Sequence, residues 1–521
     1  MSVRSAAARA TVAKLCGADV ELGNFLLGTP GLAPSSGWVA ARLLLDRIPG
    51  TAHRAPALWL AGSPGSGSTA CTASFDDGGH RAEVDAESRD WGRKFLATNG
   101  GCVYIDLAHL ELCLPEVISA WDHLACWHAM LAIAREALGT ANAALPPGAE
   151  IKVLVNSSDG QGNSYGSHLN FLVTRRCFEN LFRRKLHHLL LLASYLASGI
   201  VLTGAGKAGV EHGEGEADFQ ISQRADFFTR LAGPMTTHDR PLVNSREEHH
   251  AREDLARLHL IFCDSAVAHG TCLLRVGVTQ LVLAMIEQEV VDPRLVLEDP
   301  VHAAKQFSRD PELRCSARLL SGRRASALAH QRALFEQANR FVATGRAAGV
   351  VPRADEILAL WEDTLTKLER EPAALVGRLE WVLKRAFLTH AVRRRGLDWR
   401  SPDLRHLDQI FHSLDPEEGL FWIRERAGCT ERLVDAAAIA HFRQEPPADT
   451  RAYTRAHLLR LAGDEAVANV DWGSIRFRLD DRGYLPRYRT QELADPLGFG
   501  RAATRDIFAC GASLDDVLDA L

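Results

Sequence analysis

The feature that most constrains the fold is a two-residue alternation that recurs in short runs through the first half of the chain. In residues 15–23, Cys16, Ala18 and Val20 alternate with Gly17, Asp19 and Glu21. Further on, Val103 and Ile105 alternate with Tyr104 and Asp106, Leu169, Phe171 and Val173 with His168 and Asn170, Phe219 and Ile221 with Gln220, Ser222 and Arg224, and Leu258 and Leu260 with Arg257 and His259. Successive side chains of a strand point to opposite faces, so each run presents one apolar and one polar or charged face. Such runs predict a largely antiparallel sheet, packed on helices on one side and lining a wet, charged site on the other.

The charged faces carry particular chemistry. Asp19 and Glu21 fall on one face, about 7 Å apart along the strand, which suits a hard cation. Asp106 ends its strand, and His109, Glu111 and Glu116 follow in an otherwise apolar segment. Glycines at 160, 162 and 166 precede His168 and allow close backbone approach to a ligand. A guanidinium such as that of Arg224 on a polar face suits phosphate or carboxylate. Against these stand structural readings: solvated strand ends for the acids, and a core role for a histidine between apolar neighbours.

The 521 residues suffice for roughly three average domains, or for one large catalytic domain with an accessory one. A formal net charge of -5 argues against nucleic acid or an anionic membrane as a partner held by bulk electrostatics. The 11 cysteines include no Cys-x-x-Cys pair and sit in apolar settings, as expected of a reducing compartment, so a cytoplasmic location is expected. No signal peptide is expected, because residues 1–14 lack an apolar core of the needed length. The longest apolar run, 189–202, is interrupted by Ser194, Tyr195, Ser198 and Gly199 and predicts a buried helix feeding a strand.

Residues 48–87 turn to Gly, Ser, Thr and Ala and predict a mobile loop. Gly62–Thr69 within it is no phosphate-binding loop, since Ser68 stands at the lysine position. From Thr271 onward, aliphatic residues at three and four spacing predict helices over 273–289, 327–343, 354–370 and 375–387. Pro446-Pro447 marks a boundary, after which a helix near 452–461, a strand around 474–479 and a helix from Leu514 predict a small α+β tail.

Several of these stretches, in this order, resemble the Pup ligase and depupylase family. They are Asn99-Gly-Gly-Cys-Val-Tyr-Ile-Asp106, residues 156–170, Phe219-Gln-Ile-Ser-Gln-Arg-Ala-Asp226, Ser308-Arg-Asp-Pro-Glu-Leu-Arg314 and Pro446-Pro-Ala-Asp-Thr-Arg-Ala-Tyr-Thr-Arg455. The resemblance implies an α+β fold with a glutamine-synthetase-like catalytic domain over 1–445, a curved antiparallel sheet backed by helices, and a small domain over 446–521. The long interval between Glu21 and Asp106, with the loop at 48–87, is similar to the depupylase branch, as are Asp159-Gly160, Ser167-His168 and Arg309-Asp310-Pro311. Ala225 follows the ligase instead.

The resemblance implies a hydrolase that uses ATP and magnesium, cleaves the isopeptide bond between a lysine of a tagged protein and a Pup-like modifier, and deamidates a C-terminal glutamine of that modifier. A ligase working through a γ-glutamyl phosphate, or a non-catalytic nucleotide- or tag-binding homologue, are the alternatives. Carried over by residue, Asp106 is the expected catalytic carboxylate, attacking the carbonyl or positioning water. Asp19, Glu21, Glu111, His168 and His250 are the expected metal ligands. Ser167, Asn170, Ser222, Arg224, Arg257 and Arg451 are expected at the nucleotide and phosphates, and Arg246 and Arg455 at the substrate. The chain departs from the family at Asp19, usually glutamate, at Leu110, usually proline, and at Leu169, usually glutamate. Ala266 and His269 likewise stand where asparagine and glutamate are common.

Overall fold

A computed structural model describes residues 10–29, 36–52, 91–211, 216–247, 251–479, 487–508 and 512–521. Most of the expected loop at 48–87 lies outside the described residues, as does His250. Along the chain the principal strands are β1 (Cys16–Leu27), β2 (Cys102–Asp106), β3 (His109–Cys113), β4 (Ser167–Thr174), β5 (Phe228–Gly233), β6 (Arg240–Asn244), β7 (Leu255–Leu260), β8 (Val467–Val470), β9 (Ser474–Leu479) and β10 (Arg487–Glu492). The chain divides into two compact units, one of residues 1–23, 116–135 and 152–443, the other of residues 24–115, 136–151 and 444–521.

In the first unit the strands run in the order β5-β6-β7-β4-β1. β4 pairs antiparallel with β1, Asp19 opposite His168 and Gly17 opposite Asn170, and with β7, His259 opposite Asn170. β5 and β6 are parallel, the exception in an otherwise antiparallel run of pairs in this unit. The apolar partners of the alternation, Ala18, Val20, Leu169, Phe171, Leu258 and Leu260, are buried. The helix His269–Glu287 is buried along its whole length, and its polar Arg275, Thr279 and Gln280 donate to backbone carbonyls. It and the helix Leu186–Thr203 are long and apolar enough to cross a membrane, yet both lie mostly within the core of this unit. The helix Ala354–Arg370 has acids in its first turn and bases in its last, which complements the helix dipole.

Residues 219–226 depart from the expected strand. Only Phe219–Gln220 is extended, and a turn then leads into a 3-10 helix over Ala225–Phe227. The backbone amides of Gln223 and Arg224 and the hydroxyl of Ser222 all donate to the Asp264 carboxylate, which holds the turn in place of a ladder.

In the second unit β2 and β3 form a hairpin, and Trp91–Phe95 adds antiparallel to β2. The tail contributes the helix Ala452–Ala466, the antiparallel sheet β8-β9-β10 and the helix Leu514–Ala520. Its core residues Leu458, Val467, Ile475 and Phe477 pack in one cluster with Phe95, Cys102 and Cys113. The tail is thus not a domain apart from everything before residue 446: it shares its hydrophobic core with the 91–115 segment. Both units are mixtures of helices and sheet, and the fold is α+β.

Candidate functional site

The charged face of the first unit is built by register. Asp19 and Glu21 stand on β1, His168 and Asn170 on β4, and Arg257 and His259 on β7, with Asp19 directly across from His168 and Asn170 across from His259. Side chains joined this way meet across a ladder. Asn170 Nδ2 donates to Asp19 Oδ2 at 2.8 Å, and His259 Nδ1 lies 2.7 Å from Asn170 Oδ1. Because the amide already donates to Asp19, its oxygen accepts from His259, which fixes the proton of that ring on Nδ1. The His168 and His259 rings meet edge to face at 4.9 Å between centroids.

Electrostatics keep this face ready for a cation. Burial pushes the His168 pKa down to about 4, the Arg224 guanidinium adds to the effect, and Asp19 and Glu21 oppose it without prevailing. At neutral pH the ring is uncharged and keeps a lone pair. Glu21, mostly buried, lies against Gly166, where a Cβ would collide with Glu21 Oε1 and crowd the His168 ring. A glycine there leaves room beside the carboxylate that any other residue would fill. The Asp19 carboxylate and the neutral His168 imidazole lie within reach of a shared cation, the carboxylate oxygen being of the type magnesium prefers.

The hairpin of the second unit carries the other acids. Tyr104 pairs with Glu111 and Asp106 with His109, so these four side chains share one face, while Val103, Ile105, Leu110 and Leu112 are buried on the other. The turn beyond Asp106 consists of Leu107 and Ala108, both with positive φ, at 48° and 80°. A two-residue hairpin of this kind favours Asn-Gly or similar residues, and a side chain in the left-handed region costs about 1–3 kcal/mol. Asn24 holds the turn: its Nδ2 donates to Ala108 O at 3.1 Å, and its Oδ1 accepts from Leu110 N at 2.8 Å. Asp106 therefore sits at a fixed, strained strand end.

Several other expected ligand-binding residues, Ser222, Arg224, Arg451 and Arg455, have side-chain polar atoms engaged within the protein. Ser222 Oγ donates to Asp264. Arg224, 1 % exposed, donates through Nε to Ser164 Oγ and through Nη1 to the carbonyls of Ser167, Ile261 and Cys263, so neither of these nitrogens is available to a phosphate. Arg455, fully buried, directs Nε and Nη2 to Gly100 O and Nη1 to Trp472 O while stacking on Trp472, which makes it part of the second unit's core and not a substrate ligand. Arg451 is buried as well, with Nη1 on Leu493 O. Ser167 opens β4 with a buried hydroxyl, and Arg246 follows β6 with its amide on Asn244 Oδ1. Sequence reasoning did not single out His259 as a site residue, although its place beside Arg257 in an alternating run put it on the correct face.

The family model described as Pup-ligase protein matches residues 66–476. The chain belongs to the Pup-ligase protein family. Among its relatives, a depupylase of Acidothermus cellulolyticus is 37% identical over 82% of this chain and 83% of its own length. A Pup deamidase/depupylase of Mycolicibacterium smegmatis is 34% identical over 76% of this chain and 77% of its own, and a Pup--protein ligase of Arthrobacter sp. is 32% identical over 76% and 86%. The crystal structure of the complex between Pup and its ligase PafA shares the fold, with a TM-score of 0.75 at 23% identity over 98% of this chain and 91% of that one. PafA in complex with ADP gives a TM-score of 0.70 at 25% identity, covering 88% of this chain and 98% of that one.

Within this family one departure finds a physical account. Leu169 is buried, turned away from the His168 and Asn170 face as the alternation requires. Ala266 is fully buried and its carbonyl accepts from Trp127 Nε1 at 2.8 Å, but nothing in the structure explains the change of side chain.

Proposed function

We propose that this chain is an ATP- and magnesium-dependent amide hydrolase that releases a Pup-like modifier from lysine side chains of tagged proteins and deamidates a C-terminal glutamine of the modifier. The observation that carries the hydrolase reading over the ligase one is identity: 37% and 34% with the relatives named for depupylation, against 32% with the Arthrobacter ligase. The Asp159-Gly160 and Ser167-His168 wording supports it, while Ala225 follows the ligase.

In this reading Asp106 supplies the carboxylate that attacks the carbonyl carbon or orients the attacking water, and its strained hairpin end keeps it oriented before substrate arrives. Asp19, Glu21 and His168 hold magnesium, as the family resemblance assigns. A bound magnesium ion would neutralise anionic phosphate and carbonyl oxygens. Asn170 orients Asp19 and His259, and the neutral His168 keeps a lone pair for the cation.

The test is a gel-shift assay of tag–protein conjugates with the purified chain, ATP and magnesium, beside Asp106→Asn. Release of tag by the parent but not by the variant is the expected result. Conjugate formation from free tag with ADP production would replace this reading with the ligase, and nucleotide binding without either reaction would replace it with the non-catalytic homologue.

A further inference from the structure

A group of charged side chains inside the first unit takes no part in the reaction proposed above. Glu380, at the start of the helix Glu380–Arg395, is fully buried. Its Oε2 accepts from the backbone amides of Val267 and Ala268 at 2.6 and 2.7 Å, and its Oε1 lies 2.6 Å from His412 Nε2. His412 Nδ1 faces Lys384 Nζ at 3.3 Å, and that ammonium also reaches Asp408 at 2.7 Å and donates to Gly206 O at 2.9 Å. Lysine has no acceptor, so His412 Nδ1 accepts and Nε2 carries the proton given to Glu380. Burial and the adjacent Lys384 both disfavour a charged ring, which agrees with that tautomer.

Each end of this chain of bonds grips a segment that leads to the charged face. The 264–268 turn held by Glu380 carries Asp264, which binds the amides of Gln223 and Arg224, and Arg224 in turn binds Ser164 Oγ and Ser167 O beside His168. Gly206 O, held by Lys384, also accepts from Gln223 Nε2, whose Oε1 accepts from Ser157 N at the start of the glycine-bearing loop. We infer that Glu380, His412 and Lys384 form a positioning relay that fixes Arg224 as scaffold and, through it, sets the His168 end of β4 for metal-bound nucleotide. This rests on the proposed function only in assigning magnesium, and with it the ATP it accompanies, to that face.

The experiment compares His412→Leu with His412→Gln in the full chain. Glutamine can still donate to Glu380 and accept from Lys384, whereas leucine leaves two buried charges each short of a partner. Calorimetric titration with ATP and magnesium, well below the melting temperature, should show affinity lowered about tenfold in His412→Leu and restored to within about twofold in His412→Gln. Hydrogen exchange at Val267 and Ala268 should accelerate in the leucine variant and return to the parental rate in the glutamine one. A purely structural role would lower the melting temperature without moving affinity. Parental affinity in His412→Leu, or equal damage in both variants, overturns the relay. If the parent itself binds no ATP, the proposed function fails, and unchanged exchange at 267 and 268 in His412→Leu would then overturn the relay independently.

Discussion

Two regions of the first unit began as the same sequence pattern and ended as different objects. On β1 and β4 the alternation became a ladder, and its polar residues, Asp19, His168 and Asn170, face one another across it. At 219–226 an equally regular alternation became a turn wrapped round Asp264, and its polar residues Ser222 and Arg224 face inward to protein oxygens. The pattern specifies which side chains alternate, but a strand needs a neighbour with free amides and carbonyls. Where a buried carboxylate takes the amides first, the same residues build scaffold in place of a site.

The comparison breaks if the two sets respond alike to truncation. Asp264 is fully buried and accepts from Ala205 N as well as from the three groups of the turn, and burial still raises its pKa. Asp264→Ala strands those donors and leaves buried Arg224 with less compensation, so urea unfolding should show a loss of about 3–5 kcal/mol. Asp19→Ala, on a half-exposed strand position, should stay within about 1 kcal/mol of the parent while magnesium-dependent activity disappears. Equal losses of stability would erase the distinction drawn between face and scaffold.

Acid sharpens the same contrast. His330, 1 % exposed, is pushed by burial to about 4 in spite of its bond to Leu295 O, and it lies against Ser198 Oγ at 2.7 Å. Its folded pKa lies below the unfolded value near 6.5, so the unfolded chain binds the extra proton as pH falls between the two. The stability it contributes is present above about pH 6.5 and lost progressively down to about pH 4. Between pH 7 and pH 5 the loss should be about 2 kcal/mol. His330→Gln should flatten that part of the urea stability profile, and an unchanged slope would remove His330 from the account.

How much was legible follows from where each residue finds its partners. The faces of β1, β4 and β7 were readable because the information lies two residues apart, and Ala354–Arg370 because its period and its terminal charges agree. Arg455 was not, because its partners Gly100 O and Trp472 O belong to backbone that no side-chain pattern encodes. Glu380 and Lys384 were hidden for another reason. Four apart in a helix, they look like a solvated pair, yet both are within 1 % of full burial. The core shared by the tail and 91–115 joins stretches separated by more than three hundred residues, and it emerges only once the chain has folded.

On the charged face itself, His168→Ala should leave urea stability nearly unchanged while raising the magnesium concentration needed for half-maximal activity about 10–100-fold, the usual cost of weakening a ligand set. A variant that loses stability but keeps its magnesium requirement would move His168 from the site to the scaffold, beside Arg224.

The smallest expected effect belongs to Asp19→Glu, which puts in the longer acid that the family resemblance leads one to expect at this position. Asp19 Oδ2 is held by Asn170 Nδ2, and the longer side chain would carry its carboxylate one methylene further from β1. The oxygens would then either keep the Asn170 bond and tilt, or reach past it toward the cation. In both cases the ligand type and charge are unchanged, so the magnesium requirement should shift by less than about tenfold and stability by less than about 0.5 kcal/mol. A titration of activity against magnesium separates the two geometries. Tighter binding means that the aspartate holds the cation at less than full reach, and weaker binding means that Asn170 and His259 are set for the shorter side chain, which would make the departure at position 19 an adjusted feature of this chain.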